Sequence, residues 1–335
     1  MAEAVGIDLG TSNVRVCVRG KGIVLRTPCV IARKRSSGDV IAYGMKAREM
    51  LGKTPESIQA IRPVRGGVIA DGDVAATLLS YLFRQIGVSS MFSRPHVLVT
   101  VPSGVTAVER RAVEDAVFDA GAKSVTLLDA SVAAAVGAGL PVSGPRGCMI
   151  ADIGGGTAEA SVLSLGGVVS SSVLRKGGDD LDAAIVSALS STLHILIGDA
   201  AAERLKLRVG AAVPGIRRES MTVTGRGTLT GLAMRADVTS DSLAEATAET
   251  VYDIAFSIKQ ALGNAPPELA GDVMGRGLVL TGGSALLPGL GQFVGNTCGV
   301  RVFTMRAPLD AAAAGLCRIL ENPGQYRKLF RPGRG

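Results

Sequence analysis

Twice in this chain a short apolar strand runs through an aspartate into a glycine turn and out into small hydroxyl residues. The two stretches are Ile7-Asp8-Leu9-Gly10-Thr11-Ser12-Asn13 and Ile150-Ala151-Asp152-Ile153-Gly154-Gly155-Gly156-Thr157. Glycine lets backbone N–H groups close on an anion, hydroxyls add donors, and an aspartate beside each loop can hold a hydrated magnesium ion through its waters. One strand ending in glycines is also how an ordinary hairpin begins, but two such loops facing each other would clamp a nucleotide. A third apolar strand, Gly277-Leu278-Val279-Leu280, breaks at Thr281-Gly282-Gly283-Ser284 ahead of Ala285-Leu286-Leu287, where a helix can start. Three strand-to-glycine sites in one chain need a common explanation.

A length of 335 residues exceeds a usual single domain, so two lobes with a cleft between them are expected. Hydrophobic residues make up 47% of the chain, ample for a core, yet no run reaches the roughly eighteen apolar residues that a spanning helix requires. Met1-Ala2-Glu3-Ala4 leads into the first strand without a basic region, apolar leader or cleavage site, which predicts a cytoplasmic protein. The five cysteines (Cys17, Cys29, Cys148, Cys298, Cys317) never fall at CxxC spacing and read as small buried hydrophobes. His96 and His194 have no Ser or Cys partner nearby that would suggest a triad. A net charge of +7 points to an acidic partner, and 3% aromatic residues with no Trp argue against nucleic acid, leaving a membrane surface or a protein.

Along the chain, Val5–Leu9, Val14–Val18, Ile23–Arg26 and Cys29–Ala32 predict an antiparallel meander whose first hairpin carries the first loop. A polar stretch to Arg65, with a short helix at 46–51, reads as an insertion. Apolar spacing then predicts helices over 73–86 and 107–120 and strands at 96–101 and 124–128. The next helix begins at Asp129, which reads as its N-cap. Strands at 147–151, 160–165 and 168–174 mirror the first meander, so the chain is duplicated in pattern. A second insertion follows, with helices over 182–197 and 200–209 and a strand at 221–224, and a long helix then leads to the third glycine site.

These segments resemble the MreB/Mbl family of bacterial actin homologues, within the actin, Hsp70 and sugar-kinase superfamily. The resemblance covers nearly the whole chain. Its most specific pieces are Ile7–Asn13, the stretch from Gly52-Lys53-Thr54-Pro55 to Ala60-Ile61-Arg62-Pro63, Gly67-Val68-Ile69-Ala70-Asp71, Gly137-Ala138-Gly139-Leu140-Pro141, Asp152–Thr157 and Pro266-Pro267-Glu268-Leu269-Ala270. It implies an α/β, actin-like (ribonuclease H-like) fold, duplicated into two lobes around a nucleotide cleft. Lobe I would take residues 1–140 and 316–335, with an insertion at about 33–65, and lobe II residues 141–315, with an insertion at about 178–252. ATP and Mg²⁺ are the implied cofactors. Gly10, Thr11, Ser12 and Asn13 would touch phosphates from one side and Gly154, Gly155, Gly156 and Thr157 from the other. Gly282, Gly283, Ser284, Ala285 and Leu286 would line the adenosine, and Asp8 and Asp152 would position Mg²⁺ through water. Glu203, Arg204 and Lys206 would reach the ribose and base, although their spacing alone reads as a solvated helix face.

One departure bears on catalysis. The family reads Glu-Glu-Pro ahead of its alanine-rich helix, the second Glu orienting the attacking water, whereas this chain reads Asp129-Ala130-Ser131. A methyl group cannot accept a proton, so general-base assistance, typically worth about 10²–10⁴ in rate, is expected to be missing. Asp129 is the nearest substitute, but neighbouring helical residues point about 100° apart. Thr157, the family's other hydrolysis-related residue, remains, followed by Ala158 where the family usually has Thr. The expectation is ATP binding with weak or absent hydrolysis.

The resemblance also implies filaments of this chain with itself, peripheral attachment to the inner face of the cell membrane, and partnership with cell-wall synthesis proteins and membrane adaptors in setting cell or spore shape. Met91 and Phe92, in Ser89-Ser90-Met91-Phe92-Ser93-Arg94, would form an interfacial anchor, against the alternative of a loop tucked onto the core. The basic tail Tyr326–Arg334 either adds attraction for anionic lipid or is a solvated end. The alternative function is a small-molecule kinase of the same superfamily, which shares both phosphate loops.

Overall fold

Strict alternation in the first two strands decides which side of the first sheet is dry. Val5, Ile7 and Leu9 of β1 (Ala4–Leu9) pair with Val18, Val16 and Val14 of β2 (Asn13–Val18) in an antiparallel ladder, and all six are buried in one core. Gly6 and Asp8 therefore share the opposite face with their partners Cys17 and Arg15. The structure is a computed structural model that describes residues 3–88 and 94–329. The proposed anchor Met91 and Phe92, and the tail from Phe330 onward, lie outside the described residues.

β3 (Gly22–Pro28) completes a three-stranded meander. The sequence predicts a fourth strand there, but Pro28 has no N–H to continue the ladder. The chain instead leaves into a separate sheet of β4 (Ile31–Lys34), β5 (Val40–Tyr43) and, after α1 (Gly44–Met50), β6 (Ile58–Ile61), in the order β5-β4-β6. A small hairpin, β7 (Val64–Arg65) and β8 (Val68–Ile69), leads to α2 (Gly72–Gln85), whose N-cap Asp71 accepts from Val74 N–H. β9 (His96–Val101) then lies parallel to β1. After α3 (Ala107–Asp119), opened by a Thr106/Glu109 capping box, β10 (Ser124–Asp129) lies parallel to β9 and runs directly into α4 (Ala130–Gly137).

The second half repeats this plan. β11 (Cys148–Ile153), β12 (Ala158–Ser164) and β13 (Gly167–Leu174) form an antiparallel meander. An inserted unit follows: α5 (Gly178–Thr192), β14 (Ile195–Leu196), α6 (Asp199–Val209), β15 (Ser220–Gly227) and β16 (Ala233–Thr239), its strands ordered β14-β15-β16. The helix predicted over 182–197 stops at Thr192, because His194 takes a left-handed φ of 51° and the chain turns into β14. The long α7 (Ser240–Gly263) and α8 (Pro267–Arg276) bring the chain to β17 (Leu278–Thr281), parallel to β11. After α9 (Leu290–Cys298), β18 (Val302–Thr304) lies parallel to β17. The two large sheets, β3-β2-β1-β9-β10 and β13-β12-β11-β17-β18, have the same topology.

α10 (Ala311–Glu321) closes the fold by returning to the first sheet, where it packs on β1, β2 and β3 and against α4. The two helices touch backbone to backbone. A Cβ at Gly137 would lie 1.8 Å from Ala311 O, and one at Gly315 would lie 1.8 Å from Ala133 O. Only glycine at both positions allows this approach.

Candidate nucleotide-binding site

The two glycine loops are the same turn built twice, at the ends of the two central hairpins. Gly10 N–H donates to Asn13 O at 3.1 Å between β1 and β2, and Gly154 N–H donates to Thr157 O at 2.8 Å between β11 and β12. The loops face each other and touch: a Cβ on Gly155 would lie 2.0 Å from Ser12 Oγ, and one on Gly156 would lie 2.6 Å from Thr11 Oγ1. The second loop is glycine because the hydroxyls of the first occupy the space. Between and above them opens a cavity of about 560 Å³, large enough for a nucleotide-sized ligand. Residues 10–13, 154–157 and 282–284, together with Asp8, Asp152, Glu203, Lys206 and Leu286, all line it. Two positions named from the resemblance do not. Ala285 is buried in the second core, and Arg204 points out from an exposed position on α6.

The floor of the cavity carries the duplicated aspartates. Asp8 accepts from Thr100 Oγ1 on β9 at 3.1 Å, and Asp152 accepts from Thr281 Oγ1 on β17 at 3.1 Å, so each is held by a threonine of the adjacent parallel strand. Burial pushes the Asp152 carboxyl up to about 7, with the charges of Asp8 and Glu159 adding to the shift. Burial likewise raises Asp8, eased by Arg15, and raises Glu159, eased by Ser103 and Ser131. A cation placed beside these acids would favour their charged forms. Among the described residues no three His, Cys, Asp or Glu side chains are grouped to ligate a metal directly. Two half-buried carboxylates with hard oxygen donors, both lining the cavity, fit a hydrated divalent ion held through its waters, the mode suited to Mg²⁺. Such an ion would supply positive charge between these acids and a polyphosphate.

Around the upper part of the cavity, α5 and α6 are tied to the second loop. Gly178 and Asp179 N–H donate to Gly154 and Gly155 O, at 3.0 and 2.8 Å. Lys206 Nζ reaches back from α6 to Gly178 O at 2.6 Å and Asp182 Oδ2 at 2.8 Å. Glu203 pairs with Arg48 of α1 at 2.5 Å, so the two inserted units are bridged across the cleft. Arg62 to Asp179, at 3.0 Å, makes a second bridge. Leu207, Leu286 and Leu309 line the cavity although they are largely exposed, an apolar wall suited to a base.

Ala130, the first residue of α4, lines the cavity, as does Thr157 of the second loop. Asp129 takes the N-cap position, but its side chain makes no capping hydrogen bond, which corrects the cap read from sequence. It is buried, does not line the cavity, and lies close enough to Glu159 to raise that carboxyl. Glu159 itself accepts from Ser103 N–H at 3.1 Å, Ser103 Oγ, and Ser131 N–H at 3.4 Å.

A family model described as MreB/Mbl protein matches residues 2–328. The chain belongs to the MreB/Mbl family. It is 44% identical to the cell shape-determining protein MreB of Escherichia coli K12, over 94% of this chain and 92% of that one. It is 41% identical to the cell shape-determining protein Mbl of Bacillus cereus, over 96% of each. Its fold superposes on MreB5 of Spiroplasma citri bound to AMPPNP with a TM-score of 0.92 and 31% identity, over 97% of this chain and 98% of that one. The same MreB5 bound to ADP matches with a TM-score of 0.91. The fold is therefore the actin-like α/β fold of the MreB/Mbl family, as the resemblance implies. Arg15, Arg48 and Asp179 were not singled out in the sequence. Arg15 alone carried a readable signal, because the hairpin register that pairs β2 with β1 sets it opposite Asp8.

Proposed function

We propose that this chain is an ATP-binding, actin-like cytoskeletal subunit that polymerises into filaments at the inner membrane surface and scaffolds cell-wall synthesis, thereby setting cell or spore shape. The observation that carries the nucleotide reading is the pair of turns of the same hydrogen-bond pattern facing one another over two half-buried aspartates, in a cavity of about 560 Å³. AMPPNP and ADP are bound by MreB5 of Spiroplasma citri, which shares this fold along nearly its whole length. The shape-determining role follows the named relatives. Polymerisation, the membrane surface and wall-synthesis partners belong to this reading. So do the roles of Thr11, Ser12, Asn13 and Thr157 at phosphate, of Glu203 and Lys206 at ribose and base, and of Asp8 and Asp152 at hydrated Mg²⁺.

Hydrolysis in this reading is slow, because Ala130, which begins α4 and lines the cavity, offers no carboxylate to orient an attacking water. The kinase alternative is not favoured, since the family match runs through both inserted units as well as the phosphate loops. Negative-stain microscopy with Mg-ATP separates the two. Filaments support the scaffold, whereas uniform monomers under conditions of measured ATP binding would refute it.

A further inference from the structure

We propose that Arg15 is a phosphate-binding residue of the cleft, a fixed positive charge beside Asp8 that lessens the dependence of nucleotide binding on a divalent ion. The proposal rests on the reading of the cleft as an adenine-nucleotide site.

The two halves of the molecule make the comparison internally. In each central hairpin the strand aspartate has one cross-strand partner on the same face of the sheet: Asp152 is paired with Glu159, and Asp8 with Arg15. The duplicated position thus holds an anion in one half and a cation in the other. Glu159 is drawn away by Ser103 and Ser131 and does not line the cavity, whereas Arg15 does.

Arg15 is not consumed by its neighbours. Its Nη1 lies 3.5 Å from Asp8 Oδ2, longer than the roughly 2.7–2.9 Å of a close charge-assisted bond. Its Nε donates to Asp310 Oδ1 at 3.0 Å, but Asp310 already has its own cation, Arg26, which contacts both carboxylate oxygens at 2.8–3.1 Å. A guanidinium carries five N–H donors in a fixed fork, so Arg15 can stay anchored on Asp310 and still present N–H groups to an anion. The other two cations lining the cavity are each closed on a carboxylate, Arg48 on Glu203 and Lys206 on Asp182.

The charge balance gives the consequence. Asp8 and Asp152 face the space between the two loops, and a polyphosphate there would meet anions on its floor unless a cation intervened. A guanidinium does not titrate in proteins and matches phosphate geometry bidentately, so Arg15 supplies that charge with or without a metal ion.

The test is isothermal titration of the full chain with ADP and AMPPNP, in Mg²⁺ and in EDTA, for wild type, Arg15→Met, Arg15→Gln, Arg15→Lys and Arg26→Met, each checked for cooperative thermal unfolding. Wild type is expected to lose less than about tenfold in affinity on removal of Mg²⁺, and Arg15→Met to lose roughly ten- to a hundredfold beyond wild type in EDTA, the scale of a bond to a charged group. Arg15→Gln keeps a donor for Asp310 without the charge, so it should fall with Arg15→Met even if the latter folds poorly. Arg15→Lys should recover most of the metal-free binding. Arg26→Met breaks the Asp310 network outside the cavity and should bind as wild type. Equal affinities for wild type and a folded Arg15→Gln in both media would overturn the proposal, as would a loss in Arg26→Met equal to that in Arg15→Gln. Wild type that binds neither nucleotide even in Mg²⁺ would overturn the underlying reading first, and the proposal with it.

Discussion

At position 130 the cavity meets a methyl group, and the buried carboxylate that approaches α4 from below, Glu159, is engaged by Ser103 and Ser131. Ala130→Glu would set a carboxylate at the head of α4, in the lining of the cavity. It is expected to raise ATP turnover by about 10²-fold or more, read as continuous phosphate release, while nucleotide affinity stays near wild type. A second expectation concerns Asp182. Burial raises its carboxyl from 3.8 to about 6, Lys206 opposes the shift, and its Oδ1 has no hydrogen-bond partner among the described residues. Between those two values the folded state holds a proton that the unfolded chain has lost, so this group's contribution to stability falls as pH rises from about 4 to about 6 and levels off above. Asp182→Asn does not titrate, so its melting temperature should gain on that of wild type between pH 5 and pH 7. A constant difference across that range would refute the assignment. What was legible at this scale was local. The glycine turns and their aspartates sit within eight consecutive residues, whereas the ion pair of Arg15 joins residues 295 positions apart and no reading of nearby sequence could supply Asp310. Asp129 was legible as a helix start but not as a buried side chain, because the carboxyl it lies near, Glu159, comes from β12, thirty residues along the chain.

Between elements, the crossing of α4 and α10 is where the return of the chain meets the junction of the two halves. Both helices are rich in alanine, and glycine stands where the backbones approach most closely, which brings the C-terminal helix onto the back of β1 and β2. Gly137→Ala would force a methyl carbon to within 1.8 Å of Ala311 O. The helices must then separate, at a cost of about 1–3 kcal/mol for overpacking a tight contact. Thermal or denaturant unfolding should show that loss, and Gly315→Ala should show a similar one, since it clashes with Ala133 O in the reciprocal way. Gly263→Ala, in open space at the end of α7, serves as the control and should change stability little. The two meanders were readable because alternation of valine and isoleucine is a local signal. The strands of the inserted sheets were harder to read. β5, β6 and β16 are short or largely exposed, and their pairing depends on partners reached through loops. The expected fourth strand of the first meander failed for the same reason, since the apolar run at 29–32 does not reveal which sheet it joins.

For the molecule as a whole, the bridges across the cleft and the floor chemistry bear on the same quantity, the lifetime of one nucleotide state. Arg48 with Glu203 and Arg62 with Asp179 bridge the two halves over the cavity, and in the proposed reading Ala130 leaves the cavity without a carboxylate that would hasten conversion of ATP to ADP. An actin-like polymer that uses hydrolysis to time its disassembly needs that conversion, because a subunit interface can weaken only through a state whose contacts differ. A subunit that seldom converts its nucleotide should therefore form filaments that persist. Persistence would also favour weak membrane contacts, since an array of subunits multiplies a small per-subunit affinity through avidity. The expected outcome is that wild-type filaments assembled in Mg-ATP, followed by light scattering and sedimentation, keep most of their polymer mass after free ATP is removed. Filaments of Ala130→Glu should assemble to the same extent and then decay in step with phosphate release. Decay of both at the same rate, with phosphate release differing between them, would separate filament lifetime from hydrolysis. Disassembly would then have to be driven by nucleotide exchange through the cleft, and the bridges at Arg48 and Arg62 would become the elements that set its rate.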